Sequence, residues 1–176
     1  MLLSNENIKL RAPEISDLEI LFDIENNVEL WHLSNTIAPY SRFDLEQYIM
    51  SVDKDIYKTS QLRLMIEGAE NEVVGVVDLF DFDPVNKRAG VGIIVLEEKQ
   101  NRGYASNALE LLSEYADKKL NIHQLYCNIE VENTASISLF EKAGFIKSGL
   151  KKEWNYKNGI WTDELFLQKI LNQNKL

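Results

Sequence analysis

The sequence predicts a mixed α/β fold in which a buried strand hands the chain to a long helix through a glycine turn. Three observations predict it. Strand-like apolar runs and helix-like apolar spacing take turns along the whole chain. The stretch from Ala89 to Leu112 holds both patterns back to back. The chain then closes on two long strand-like runs, residues 145–156 and 160–170, on either side of Lys157-Asn158-Gly159, a turn signal.

Taken in order, Ile8 to Arg11 alternates apolar and polar and meets Pro13, which reads as a first strand. Ser16-Asp17-Leu18-Glu19 has the capping-box pattern and starts a helix on Ile20, Leu21 and Ile24, which Asn26-Asn27 ends. A loose stretch with Trp31, His32 and Tyr40 follows. Residues 44–57 read as one helix on Leu45, Tyr48, Ile49, Val52 and Ile56. Residues 62–66 form a strand, residues 68–71 a turn, and residues 73–82 the next strand. Alternation in that strand places Val74, Val76, Asp78, Phe80 and Phe82 in one row, so Asp78 interrupts an apolar face. A buried carboxylate of this kind calls for a partner, a raised pKa or cleft water.

Residues 91–96 form the central strand, and Gly90 and Gly92, which precede the main part of its apolar run, signal close backbone approach or a bulge. Residues 123–131 form a strand with Leu125, Cys127, Ile129 and Val131 in one row. Asn133 caps a helix on Ile137, Leu139, Phe140 and Ala143, Gly144 ends it, and Phe145 packs back onto it. In the last strand Trp161, Leu165 and Leu167 help close the core, and residues 172–176 fray.

The central stretch carries the chemistry. Gly103 opens a helix whose inner face is Ala105, Ala108, Leu109, Leu112 and Ala116. A helix start leaves its first N–H groups unpaired and partly positive. Gly103 permits a left-handed turn or a close ligand, Ala105 and Ser106 keep the rim low, and Lys99 and Arg102 add charge. Together they describe a socket for a phosphate or pyrophosphate. An ordinary strand–loop–helix turn has the same local pattern. No GxxxxGK followed by Ser or Thr occurs, and the GxG at Gly90 and Gly92 lacks a third glycine and precedes the apolar run, which excludes both familiar phosphate loops.

Composition sets the outer bounds. The 176 residues are 45% hydrophobic and 27% charged, an ordinary globular balance for one domain. No apolar stretch has the length of a membrane span, and the start lacks a basic region followed by an apolar one. A lone cysteine, Cys127, fits a reducing cytoplasm. The net charge of −9 argues against general nucleic-acid binding and favours a cationic substrate.

The segment Gln100-x-x-Gly103-x-Ala105 between strand and helix resembles the acetyl-CoA pyrophosphate loop of the Gcn5-related N-acetyltransferase (GNAT) superfamily. Residues 133–145, an Asn-initiated helix ending in Gly144-Phe145, resemble that family's second signature. The opening Ile8-Lys-Leu-Arg-Ala-Pro13 and the closing Lys157-Asn-Gly-Ile-Trp161 resemble its spermidine acetyltransferase and ribosomal-protein N-terminal acetyltransferase branch. The resemblance implies an acyl-CoA N-acyltransferase fold: a six- to seven-stranded, mixed but mostly antiparallel sheet with a splayed central strand pair and about four helices. It implies one domain over residues 1–176, with 1–60 on the acceptor side, 61–145 as the acetyl-CoA-binding core and 146–171 as C-terminal strands. It implies acetyl-CoA as co-substrate, an amine acceptor, no metal, no nucleic-acid or membrane partner, and allows a homodimer.

By the same resemblance, Ile93, Ile94, Val95 and Leu96 offer backbone groups to the pantetheine arm. Gln100, Asn101, Arg102, Gly103, Tyr104, Ala105 and Ser106 surround the pyrophosphate, and Asn133, Ser136, Phe140 and Lys142 complete the cofactor site. Asp78 is the candidate base or amine-binding residue. The family's usual acid and base are missing here: Phe140 stands where many members have a tyrosine, and Gly90 where members acting on N-termini often have a glutamate. Substitutes are Asp78, Tyr126, Glu130 and Ser138, with Asp78 and Tyr126 retained as catalytic candidates; His32 joins them only if its loop folds over the cleft. Three functions follow: acetylation of a small, polyamine-like amine, acetylation of a protein N-terminus or aminoglycoside-like amine, or CoA binding without catalysis.

Overall fold

Seven strands form one sheet in the order β1-β2-β3-β4-β5-β7-β6. They are β1 (Ile8–Arg11), β2 (Leu62–Gly68), β3 (Val73–Asp83), β4 (Arg88–Val95), β5 (Gln124–Glu130), β6 (Ile146–Lys157) and β7 (Ile160–Ile170). The computed structural model describes residues 2–31, 36–51 and 55–171. Among them the helices are α1 (Leu18–Asn26), α2 (Arg42–Ser51), α3 (Ile56–Thr59), α4 (Tyr104–Lys118) and α5 (Thr134–Lys142). Neighbouring strands run antiparallel except β4 and β5, which are parallel. The mixed, mostly antiparallel sheet expected from the sequence is therefore the observed one. No helix among the described residues is long and apolar enough to cross a membrane.

Two cores follow from the alternation of each strand. On one face, Leu109, Leu112 and Ala116 of α4 and Ile137 and Phe140 of α5 pack with Val77, Leu79, Val91, Leu125, Cys127 and Leu167. Burial pushes the Cys127 thiol up to about 12, so it packs as a hydrophobe. On the other face, Leu21 and Ile24 of α1 and Ile49 of α2 pack on Met65 and Val76. Among the described residues, that second layer of helices covers β2 and β3 but not β5 and β7, where Tyr126 and Phe166 border a hollow of about 520 Å³.

Several expectations change. The row from Val74 to Phe82 is broken by two irregularities of β3, one beside Val73–Val74 and one at Asp81, whose φ is 48°. Each inserts a residue and so flips the face of what lies beyond it. Val74 and Phe82 join the larger core, while Val76 lies in the smaller one. The capping box lies one turn earlier, on the 3₁₀ turn Ile15–Asp17 that leads into α1, where Asp17 Oδ2 accepts from the Glu14 amide at 2.7 Å, and Glu19 instead pairs with Arg42. The helix expected over 44–57 is two helices, since Asp55 caps a new one by accepting from the Tyr57 amide. Val52, His32 and the tail 172–176 lie outside the described residues. β4 begins at Arg88, so Gly90 and Gly92 sit within it. Trp161 is exposed, stacked on Tyr156 at 4.8 Å near the β6–β7 turn, because the strand's inner row ends before it reaches the helices.

The first strand is locked by a buried ionic cluster. The Arg11 guanidinium grips both Asp17 oxygens, at 2.7 and 2.9 Å, and donates through Nε to Glu67 of β2. Asp17 and Glu67 are buried. Burial alone would raise the Asp17 carboxyl, but Arg11 and the Glu14 amide outweigh it and hold it below the usual range; Arg11 does the same for Glu67. Arg11→Met leaves buried Asp17 without its cation and Glu67 with Lys9 alone, 3.6 Å away, and is expected to cost about 3 kcal/mol in urea unfolding. Because both carboxyls are depressed in the folded chain, their contribution is complete above the ordinary carboxylate range of about 4 and is lost as pH falls through the folded-state values. The acid limb of a stability–pH curve is therefore expected to flatten in the variant.

Candidate active site

β4 and β5 pair only at Arg88–Gln124, Ala89–Leu125 and Gly90–Tyr126. Past that point β4 stays on β3 as far as Val95, and β5 stays on β7 as far as Glu130. Each strand is held by a full ladder on its outer side, so the two part like a V. The register says which main-chain groups face the gap. The Leu96 amide donates to the Val74 carbonyl at 2.9 Å. Bonded pairs alternate in an antiparallel ladder, so Ile94 and Gly92 also turn toward β3, leaving Val91, Ile93 and Val95 facing β5. The Gln100 side-chain amide donates to the Val95 carbonyl at 3.2 Å, as that parity requires.

The open edge runs into a turn of free amides. Glu97–Lys99 makes one short 3₁₀ turn, Asn101 has φ 60°, and Gly103, at φ 81°, is the residue from which α4 starts. The amides of residues 101–106 make no backbone hydrogen bond among the described residues. Arg102, Gly103 and Ser106 are exposed, and Tyr104 and Ala105 half-buried. Asn107 closes the first turn by donating to the Gly103 carbonyl at 2.9 Å. Lys99 is partly engaged by Glu72 at 3.5 Å. An αL glycine and consecutive outward amides at the start of a 15-residue helix fit a diphosphate. These residues thus suit the cofactor their sequence pattern implies.

Across the gap, Asn133 Oδ1 accepts from the Ser136 amide at 3.1 Å and caps α5. Ser136 is half-buried, and Lys142 and Ser138 are exposed. Phe140 is buried, its ring edge-on to Phe145 at 5.0 Å.

The acceptor face holds what sequence reading could not resolve. Asp78 receives a two-pronged grip from Arg63, with both N–O distances 2.8 Å, and Arg63 also pairs with Glu25 of α1. Burial opposes the Arg63 charge, and Asp78 and Glu25 more than offset it. The same burial, with Asp78 and Glu25, raises the neighbouring Tyr48 phenol against the pull of Arg63. Asp78 is thus a paired acid. Tyr126 points its hydroxyl at Asp81, 3.4 Å away, and burial followed by Asp81 pushes its phenol up, so it keeps its proton at neutral pH. Glu130 lies further along β5, opposite Glu164.

Gly90 has a physical reason. A Cβ there would lie 2.2 Å from the Phe80 ring, which spans from β3 across Gly90 toward Tyr126, 6.0 Å away and edge-on. The glutamate that the resemblance led one to look for at this position has no room. The glycine was the only sequence signal of the ring. Gly90→Ala is expected to lose about 1–3 kcal/mol by thermal or urea unfolding. In a double-mutant cycle with Phe80→Ala the Gly90 penalty is expected to vanish, since the colliding ring is gone.

Comparison with known proteins agrees with this geometry. The acetyltransferase (GNAT) domain family matches residues 7–146. Spermidine N(1)-acetyltransferase of Vibrio cholerae is 29% identical, covering 97% of this chain and 99% of that protein. The Escherichia coli K12 spermidine N(1)-acetyltransferase is 31% identical, covering 92% and 85% respectively. The crystal structure of the Vibrio cholerae spermidine N-acetyltransferase in complex with CoA and spermine superposes with a TM-score of 0.83 at 26% identity, over 95% of this chain and 97% of that one. A splayed strand pair, a turn of free amides and matches along nearly the full length converge: the chain belongs to the GNAT family and is an acetyl-CoA-dependent N-acetyltransferase.

Proposed function

We propose that the acceptor is a polyamine-like primary amine, attacked directly in a ternary complex. The observation that carries this reading is the continuous path from the free β4 edge at Val91, Ile93 and Val95 into the free amides of residues 101–106. That path holds a long thiol-bearing nucleotide across the sheet, with its reactive end at the foot of the V, near Gly92 and Tyr126. The acidic balance of the chain and its likeness to spermidine acetyltransferases favour a cationic acceptor.

Acetyl-CoA supplies an acetyl thioester when bound. The chain's own groups do the rest. Main-chain groups of Ile93 and Val95 hold the pantetheine arm, while Gln100, Asn101, Arg102, Gly103, Tyr104, Ala105 and Ser106 enclose the diphosphate. Asn133, Ser136 and Lys142 line the opposite wall, and an unpaired β4 amide polarises the acetyl oxygen. The acceptor's ammonium, with a pKa of about 10.4, must lose its proton before attack. Phe140 and Gly90 offer no group for this. Asp78, tied to Arg63, sets the local charge, and Tyr126 stays protonated beside Asp81, able to donate toward the departing thiolate through water. Proton removal is thus left to solvent.

A thiol-release assay over spermidine, an N-terminal peptide and an aminoglycoside tests the acceptor. Turnover with spermidine above the others is the expected result, and equal or faster turnover with either of the other amines would overturn the polyamine reading. Arg102→Glu and Gly103→Val are each expected to raise KM for acetyl-CoA about tenfold or more; unchanged values in both would remove the diphosphate from this turn. With no resident base, log kcat/KM for the amine is expected to climb with unit slope through neutral pH toward about 10.

A further inference from the structure

The open face over β5 and β7 contains a fully formed receptor for an alkylammonium, and one of the chain's own lysines sits in it. The Lys151 ammonium donates to Asn128 Oδ1 at 2.6 Å and to Glu164 Oε1 at 2.9 Å. It lies 4.8 Å from the Trp154 ring centroid and 5.8 Å from that of Phe166. Glu164 is mostly buried, and its second oxygen is held by the Asn155 amide at 3.2 Å. The cage is shaped by a bulge: between Lys151, opposite Glu164, and Asn155, opposite Thr162, three residues of β6 face one of β7, with Glu153 at φ 48°. That bulge swings Trp154 over the lysine. A plain cross-strand ion pair needs neither the amide oxygen of Asn128 from a third strand nor two aromatic faces.

The cage opens on the hollow already described. Its floor is Tyr126 and Phe166, ring centroids 5.5 Å apart, and Asp81 stands at the far end beside Asp83 and Arg88, which pair with each other at 3.2 Å. Carboxylates at the two ends and aromatic rings between them suit a flexible chain with methylenes between cationic ends. The rings take the methylenes, and the carboxylates the charges. A single-charged amine fills only part of this.

We infer that Asn128, Glu164, Trp154 and Phe166 form a remote-ammonium subsite for the acceptor, which Lys151 occupies until a di- or polyammonium acceptor displaces it. The inference rests on the cationic-amine reading of the acceptor and adds to it the residues that select multiply charged amines. Lys151 acts as an internal competitor that keeps the buried Glu164 charge paired while the hollow is free.

The test measures the affinity ratio of spermidine over octylamine, an aliphatic amine of similar length with one charge, by calorimetry on the full chain saturated with CoA. Equilibrium binding gives this ratio independently of turnover, so failure of the polyamine reading in the thiol assay stays a separate result. Lys151→Met is expected to raise the ratio several-fold by removing the competitor. Glu164→Gln, which keeps shape and loses charge, is expected to lower it about tenfold. A ratio unchanged in both variants, or lowered in both, would overturn the inference, because a simple strand staple shifts the two amines alike. Thermal unfolding of each variant confirms that the ratio is read on folded protein. Should Lys151→Met unfold, Lys151→Gln, uncharged and able to keep a hydrogen bond to Glu164, gives the same reading with the same expected rise.

Discussion

The separation of β4 from β5 is the constraint on which the rest of this structure depends. Two parallel strands in the middle of a sheet stop pairing after three rungs, with several residues of each still to run. Main-chain groups at a sheet centre are ordinarily paired, and leaving them open is costly unless water or a ligand takes them. The fold tolerates it because each strand is anchored on its far side: β4 by β3 and β5 by β7. The helices that follow each strand then start on either side of the gap, α4 at Gly103 and α5 at Asn133. One departure from sheet regularity thus brings together an unpaired strand edge, a row of helix-start amides and a capped second helix, all facing a common slot.

The opposite side of the slot is governed by a different rule: polar groups there have been given partners from within the chain. Asp78 is held by Arg63, Arg63 also by Glu25, Tyr126 by Asp81, and Glu164 by Lys151. Gly90, opposite Tyr126 at the foot of the V, lies beneath the Phe80 ring. The acceptor face therefore combines an apolar centre with acids at its margins. In the proposed reaction, such a surface holds the cation at a distance from the reacting centre and not at it.

The sequence made most of the slot legible and little of the acceptor face. Gly103 and Gly144 announce left-handed backbone that few other residues permit, and Asn133 a side-chain cap, so the two helix starts and the stop at Gly144 could be read locally. The strands were legible by alternation, until β3 inserted a residue near Val74 and another at Asp81. A bulge leaves no compositional mark, and each one moved the following side chains to the opposite face. The split at Asp55 was hidden because apolar spacing continues across it. Asp78 showed itself as an acid on an apolar face, but its partner Arg63 lies fifteen residues earlier, on a neighbouring strand, and only register pairs them. Phe80 and Gly90 were each visible; their contact was a property of the pairing of β3 with β4. Trp161 misled because bulk and aromaticity suggest burial, whereas its place in the hairpin put it beyond the helices.

A transferase with phenyl and glycine at the usual acid and base positions can still be fast, on a comparison of magnitudes. General acid–base groups contribute roughly 10²- to 10⁴-fold each, while alignment of two bound reactants is worth effective concentrations of roughly 10⁵ M or more. Losing the acid and base leaves the greater contribution, alignment, in place, provided the amine arrives neutral. At neutral pH roughly one alkylamine in a few thousand is neutral, from its pKa of about 10.4. Carboxylates close to the attacking nitrogen would make that fraction smaller still, and an apolar wall makes it larger by disfavouring the charged form. The layout follows that logic. Asp81 lines the hollow and Glu164 pairs with Lys151, which lines it too, whereas the Phe80 ring covers Gly90 at the foot of the V, where charge must be shed. Recognition of the cation and its neutralisation make opposite electrostatic demands, and the sheet keeps them on different strands.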